Sequence, residues 1–431
     1  MTSESGERRR FQTVRGTNDT LPDDQPYWDW VRSAAQSVAH RFGFRRIDTP
    51  VFEETALFVR TVGEGTDIVE KEMYTFTDRG DDMLTLRPEG TAPVCRAYIQ
   101  HGMHTLPQPV RAFYITPIFR YERPQSGRLR QHHQFGVEAI GDPNPEIDAE
   151  VIHVLWSLFE ELGLKNLRLH VNSIGCSNGD CRPRYLNSLR KYYSTRLDKS
   201  CEDCHTRYEK NTLRLLDCKE GQCQPIIDDA PTPTDSLCQD CADHFERLRS
   251  LLDLWEIPYT VTPRLVRGLD YYTRTVFEVH PAIEGSQTAL GAGGRYDGLV
   301  EQLGGAPTPG VGFGSGIERI IMNLREAGLT PPDDLSPRTD LYIVYLGDTA
   351  HQHALRLAAE LRKNGLSVSL PTGSRSLRAQ LRSASAANAR YALIIGDDEV
   401  AKGAAALRDL DTSEQSDVSL DAEAVKAAIA S

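Results

Sequence analysis

Over positions 26–42 the apolar residues Trp28, Val31, Ala35, Val38 and Phe42 recur every three or four places, which gathers them on one face of a helix, and Gly43 stands where that helix should end. A short strand over 45–49 follows; it should stop or lie at a sheet edge, because Pro50 offers no N–H to a ladder. Apolar or β-branched runs over 73–77, 83–86, 110–119 and 135–140 are separated by turn residues, a spacing that suits an antiparallel sheet better than βαβ units. The pattern then breaks. Positions 176–245 hold eight of the nine cysteines, many charges and few strand-like runs, and read as a mostly helical insertion. Strand-like runs resume over 264–266 and 271–279, and a glycine-rich stretch over 291–316 leads into a helix carrying Ile317, Ile320, Ile321 and Leu324. Beyond a polar linker at 331–338, strands over 341–346, 367–370 and 391–395 alternate with helices over 351–363 and 377–387. The expected fold is therefore an α+β domain over 1–330, interrupted at about 176–245, and a small α/β domain over 339–431. Gly347 follows the first strand of that small domain without a G-x-G-x-x-G around it, so a nucleotide-binding role there is not supported.

A chain of 431 residues exceeds what one core usually supports, and 39% hydrophobic with 26% charged residues is the balance of a globular protein. No apolar run approaches the length of a bilayer span, and residues 1–10 mix Glu4 and Glu7 with Arg8, Arg9 and Arg10 without an apolar centre, so a cytoplasmic protein with no membrane partner is expected. A net charge of -12 argues against a protein that coats nucleic acid, since phosphate contact needs cations; any RNA contact must be local. The first place for one is 110–133, where Arg111, Arg120, Arg123, Arg128 and Arg130 face the single acid Glu122.

Nine cysteines, an odd number in a chain with no secretory signal, point to reduced thiols or metal ligands rather than disulfides. Cys201 with Cys204, and Cys238 with Cys241, have the C-x-x-C spacing of zinc knuckles, although 33 residues separate the pairs and Cys218 and Cys223 compete as ligands. One structural zinc on Cys201, Cys204, Cys238 and Cys241 and a set of metal-free thiols are both open readings. If the zinc is present, its removal is expected to loosen the insertion and leave the catalytic pocket untouched.

The chain has no G-x-x-x-x-G-K-[ST] loop, so an ATP site would have to hold phosphates with side chains. Arg120 at the end of an apolar strand, Arg267 in Leu265-Val266-Arg267-Gly268-Leu269, and Arg319 at the start of the helix after Gly316 are the substitutes, because a guanidinium stays charged and grips oxygens through two parallel bonds. Any one of them alone reads more readily as an ion-paired surface arginine. Three at the ends of apolar strands weaken that reading, since such placement costs desolvation without a partner.

Four blocks carry a resemblance to a known family: Arg87-Pro88-Glu89-Gly90-Thr91, the stretch from Phe119-Arg120-Tyr121-Glu122-Arg123 to Gln131-His132-His133-Gln134-Phe135, Leu265 through Tyr272, and Gly293-Gly294-Arg295-Tyr296-Asp297. In this order, from about Arg15 onward, the chain resembles the histidyl-tRNA synthetases. The resemblance implies a class II antiparallel catalytic sheet, a homodimer whose interface includes 42–50, and a C-terminal anticodon-binding domain. It implies ATP with Mg2+, L-histidine and tRNA(His) as partners, histidine being activated as its adenylate and then transferred to the tRNA. By family position, Arg120 and Arg267 are catalytic at the α-phosphate and Arg319 holds the γ-phosphate, with Glu122 and Arg128 also at ATP. Glu89, Gly90, Thr91 and Gln134 fall at the amine and carboxylate of histidine, Glu138 and Tyr272 at its imidazole, with Tyr271 and Tyr296 lining the pocket; Tyr271 reads equally as a core residue of the sheet. Arg123 and Gln125 would meet the tRNA acceptor end, and Arg375, Arg378, Arg382 and Arg390 would face RNA in the C-terminal domain. Leu129 stands where relatives often carry an aromatic residue, which removes stacking from that position. The competing reading is a catalytically inactive paralogue that regulates histidine biosynthesis; such relatives typically lose Arg267, parts of the Arg120 block and the C-terminal domain, and this chain keeps all three.

Overall fold

Strands that alternate apolar and polar positions build the main sheet of the computed structural model, which describes residues 10–63, 66, 68–123, 127–176, 181–210, 212–269, 271–281, 289–336, 338–373 and 375–430, and of Asp217 the backbone alone. The chain divides into two compact units, Met1–Pro331 and Pro332–Ser431. In the first, the strands are β1 (Arg45–Arg46), β2 (Phe52–Glu54), β3 (Tyr74–Thr77), β4 (Met83–Leu86), β5 (Val110–Phe119), β6 (Gln131–Ile140), β7 (Leu167–Ser173), β8 (Tyr259–Val261), β9 (Thr273–Pro281), β10 (Gly291–Arg295) and β11 (Gly310–Gly316). Eight of them form one sheet in the order β1-β5-β6-β11-β10-β9-β7-β8, antiparallel except where the edge strands β1 and β8 run parallel to β5 and β7. β2, β4 and β3 make a separate small antiparallel sheet.

Period two assigns the two faces of the large sheet different work. Phe113, Phe135, Val137, Val171, Phe277 and Phe313 point to one side, where they pack with Val31, Val38, Leu155, Phe159, Leu248 and Ile320 from the helices Gln25–Arg41, Pro145–Glu161, Gln239–Leu254 and Ile317–Glu326. The residues between them, Tyr114, Gln134, Glu138 and Glu278, are left for the opposite face. On the helix side a buried ion pair joins Arg295 to Asp148, and Arg295 also donates to the carbonyls of Asp142 (3.0 Å) and Asn144 (3.1 Å), so its charge is fully partnered.

The helix expected at 26–42 is Gln25–Arg41, and the strand before Pro50 is an edge strand, shortened to Arg45–Arg46. Arg87, buried behind it, ties this edge down by donating to the carbonyls of Thr49 (2.8 Å), Pro50 (3.1 Å) and Pro117 (2.8 Å). The run at 264–266 is not a strand. Pro263 interrupts the ladder after β8, Leu265 N–H closes a turn on Thr262, and Asn172 of β7 donates to the carbonyls of Pro263 and Leu265 at 3.1 and 3.0 Å. The cysteine-rich segment holds the helices Cys181–Tyr193, Glu202–Lys210 and Gln224–Asp228, and no strand among its described residues. It has no break at position 245: the helix Gln239–Leu254 begins in it and buries Phe245, Leu248 and Leu252 in the main core.

The second unit carries β12 (Thr339–Leu346), β13 (Val368–Ser369), β14 (Ala389–Gly396), β15 (Ala404–Asp409) and β16 (Gln415–Ser419) in the order β13-β12-β14-β15-β16. The first three are parallel and the last two antiparallel. Among the described residues no helix is long and apolar enough to cross a membrane.

Candidate active site

The floor of the site is made by side chains that are missing. In β11, Val311, Phe313 and Ser315 face the core while Gly310, Gly312 and Gly314 face the other way. A Cβ on Gly312 would sit 2.0 Å from Glu138 Oε2, one on Gly314 2.1 Å from Gln134 Nε2, and one on Gly310 2.2 Å from the ring of Tyr296. Gly90 and Gly136 clear the ring of Tyr114 in the same way, at 2.4 and 2.3 Å. The result is a cleft of about 1000 Å³ above the sheet.

Glu138 is fully buried beside it and accepts three hydroxyl hydrogen bonds, from Thr91 (2.7 Å), Tyr114 (3.3 Å) and Tyr296 (2.5 Å). Burial pushes its carboxyl up to about 8, against the pull of the hydroxyls of Tyr296 and Thr91. Tyr296 therefore lies behind Glu138 rather than on the pocket wall, a correction to its expected place. Glu89, also buried, caps the helix Thr91–Gln100: its two oxygens accept from the N–H groups of Thr91 (2.6 Å) and Ala92 (2.8 Å). Burial raises its pKa, and those bonds oppose the rise. Thr91, Gln134, Tyr271 and Tyr272 line the cleft with Glu89. The rings of Tyr271 and Tyr272 lie 4.7 Å apart, and both are also part of a buried cluster, so the core and pocket readings of Tyr271 hold together.

Arg267 reaches the same cleft from the turn that Asn172 fixes. Its guanidinium pairs with Glu278 of β9 and stands 5.7 Å from the ring of Tyr272. Burial works against its charge, and Glu278 and Tyr272 outweigh burial, so its pKa is raised. Glu278 is held in turn by His280 Nε2 at 2.8 Å. Arg120, Arg128 and Arg319 line another part of the wall. Arg120 donates to the carbonyl of Pro88 (2.7 Å), and Arg319 to those of Gly127 (2.8 Å) and Ala289 (3.1 Å), which aims both without neutralising them. Burial and the neighbouring Arg128 lower the pKa of Arg319; burial, Arg120 and Arg319 push His132 down to about 3. Clustered like charges that suppress one another are a seat for a polyanion. Glu122 joins them at 3.9 Å from Arg120 and 3.7 Å from Arg128, and its Oε2 has no hydrogen-bond partner among the described residues.

Arg123 is exposed, and Gln125 lies outside the described residues. Arg375, Arg378, Arg382 and Arg390 are exposed on the second unit, where Gln380 anchors the helix Leu377–Ala386 by bonding both N–H and C=O of Tyr345. The cysteines do not pair as their spacing suggested. Cys201 and Cys204 converge with Cys218 and Cys223, and Cys238 and Cys241 with Cys176 and Cys181, so the segment closes one group locally and brings its two ends together in the other. Nor does the insertion stand apart from the pocket: Arg207, Cys218, Lys219 and Gln224 belong to its wall. Sequence patterning gave no sign of Asn172, Tyr114 or Glu278 as site residues; their only signal is a polar residue at the alternate position of a buried strand.

Residues 16–320 match the family model described as Histidyl-tRNA synthetase, and residues 340–428 the model described as Anticodon binding domain. The histidine–tRNA ligase of Dehalococcoides mccartyi strain 195 is 53% identical over 411 residues, which is 95% of this chain and 97% of that protein. That of Desulfitobacterium hafniense strain DCB-2 is 49% identical over 410 residues, 95% of this chain and 96% of the relative. Among solved structures, apo histidyl-tRNA synthetase of S. aureus superposes with a TM-score of 0.81 at 37% identity, covering 97% of this chain and 99% of that one. With the glycine-floored cleft, the Glu138 cage and the guanidinium cluster in place, the chain belongs to the histidyl-tRNA synthetase family.

Proposed function

We propose that this chain joins L-histidine to tRNA(His) in two steps within the one cleft, as an ATP-dependent ligase. In the first, a carboxylate oxygen of histidine attacks the α-phosphorus of ATP, the bond to the β-phosphate oxygen breaks, and pyrophosphate leaves with its electron pair. In the second, a hydroxyl of the terminal adenosine attacks the histidyl carbonyl and AMP leaves. The observation that carries this reading is that Glu138, caged by three hydroxyls, lies buried beside the same cleft whose wall carries Arg120, Arg128, Arg319 and Arg267.

Imidazole offers a donor and an acceptor, and Glu138 with Tyr272 can meet both. Glu89, Thr91 and Gln134 take the amine and carboxylate region, with Gly90 leaving the space. Arg120 and Arg267 stabilise the charge that grows on the equatorial oxygens of the α-phosphate, and Arg319 holds the γ-phosphate; fixed cations there favour the transition state over the ground state. Glu278 keeps Arg267 aimed and charged. The divalent ion that travels with ATP, Mg2+ in this reading, would find an oxygen ligand in Glu122, whose Oε2 makes no hydrogen bond among the described residues and has only the ion-pair contact to Arg128. Arg123 and Gln125 meet the acceptor end of the tRNA, Arg375 and Arg378 the RNA at the second unit. We further propose a cytoplasmic homodimer. The small sheet beside β1 leaves Val51, Phe52, Phe76 and Met83 between 39% and 52% exposed, an apolar patch that a second copy would cover.

Purified protein with ATP, Mg2+ and labelled histidine should charge a tRNA(His) transcript. Arg267→Ala should lower adenylation by on the order of a hundredfold, about 3 kcal/mol, while histidine still binds. Near-normal adenylation by that variant would remove Arg267 from the chemistry.

A further inference from the structure

Eight cysteines that the ligase reaction does not use sort into two groups of four, Cys176, Cys181, Cys238 and Cys241, and Cys201, Cys204, Cys218 and Cys223. Within each group all four sulfurs lie within 4.8 Å of one another. Sγ separations are 3.6 Å for Cys176 and Cys181, 3.6 Å for Cys201 and Cys218, and 3.9 Å for Cys204 and Cys223. A tetrahedron of sulfurs about 2.3 Å from a central ion has edges of about 3.8 Å. Two thiols in contact could show such a distance by chance; four sulfurs all within 4.8 Å of one another are close enough to share a single ion. An iron–sulfur cluster, which gives each thiolate a different position on a larger core, would hold the sulfurs further apart.

Both groups combine a C-x2-C spacing with a C-x4-C spacing. In both, a backbone N–H is aimed at a sulfur: Cys238 N–H at Cys181 Sγ (2.8 Å) and Cys201 N–H at Cys223 Sγ (3.3 Å). Such donors stabilise thiolate over thiol. The second group also faces a buried donor: Tyr193 Oη has no hydrogen-bond partner among the described residues and has Cys204, Cys218 and Cys223 for neighbours. Neutral thiols are weak acceptors and would leave this hydroxyl unsatisfied; metal-bound thiolates would not.

We propose that the chain binds two structural zinc ions, one in each group of four cysteines. The first clasps the neck of the cysteine-rich segment, joining the turn after β7 to the start of the helix Gln239–Leu254. It braces Arg182, next to Cys181, which donates to the carbonyl of Tyr272 at 3.0 Å. The second holds the lobe whose Arg207, Cys218 and Lys219 face the cleft. Its loss therefore disturbs the pocket wall as well as the lobe.

The test is metal content of the full-length protein purified without chelators, which does not depend on ligase activity. Elemental analysis should give two zinc and no stoichiometric iron per chain. Cys218→Ser with Cys223→Ser should leave one zinc, and Cys238→Ser with Cys241→Ser should leave the other one. Titrating the wild-type protein with a mercurial should release two zinc as the eight thiols react. One zinc or none in the wild type, iron in its place, or missing free thiols without metal would each overturn the proposal, even if a variant fails to fold.

Discussion

Glu138 is the side chain whose surroundings say most about what the cleft selects. Fully buried, with its pKa at about 8, it keeps a proton in the folded chain that it would release in the unfolded one at any pH above about 4.5. Its contribution to stability is therefore complete below about 4.5 and is lost as pH rises through 8. Glu138→Gln should flatten the dependence of melting temperature on pH between those limits. It should also raise KM for histidine severalfold, up to about tenfold, since a hydrogen bond between neutral groups is worth about 0.5–1.5 kcal/mol. An unchanged KM would show that imidazole is read elsewhere. Arg267 shows what a sequence does and does not disclose at this scale. The block around it marks the arginine, but Glu278, which holds its charge, comes from a strand begun after the turn and looks there like any polar residue on the open side.

At the scale of elements, β11 matters more than any loop. Its glycines alternate on one face because Glu138, Gln134 and Tyr296 fill the space their side chains would take. Gly312→Ala would place a Cβ 2.0 Å from Glu138 Oε2 and 2.4 Å from the Val137 carbonyl. The strand or the glutamate must then move, at a cost of about 1–3 kcal/mol of stability. The expected outcome is lost histidine binding in calorimetry with ATP binding retained; wild-type histidine affinity would contradict the floor role. Runs of period two mark β5, β6 and β9 in the chain itself, because the hidden face of each is continuous. The same reading fails at 264–266, where Asn172 and Pro263 convert an apolar run into the turn that delivers Arg267. It fails again for the cysteines, whose partners depend on how the helices of the segment fold back and not on the spacing along the chain.

For the whole molecule, a net charge of -12 is compatible with the RNA contacts proposed above because basic residues are grouped locally: the wall around Arg120 in the first unit and the exposed Arg375, Arg378, Arg382 and Arg390 in the second. Light scattering at micromolar concentration should give about twice the chain mass of 48.1 kDa. Phe52→Asp should shift it toward monomer and reduce activity with it; a fully active monomer would rule out the dimer. The chemistry of the cleft is tested most directly by its first step. Purified protein should support histidine-dependent exchange of pyrophosphate into ATP, with a divalent ion required and the other standard amino acids giving background only. No exchange with histidine, or equal exchange with another amino acid, would contradict the central claim that this cleft makes histidyl-adenylate.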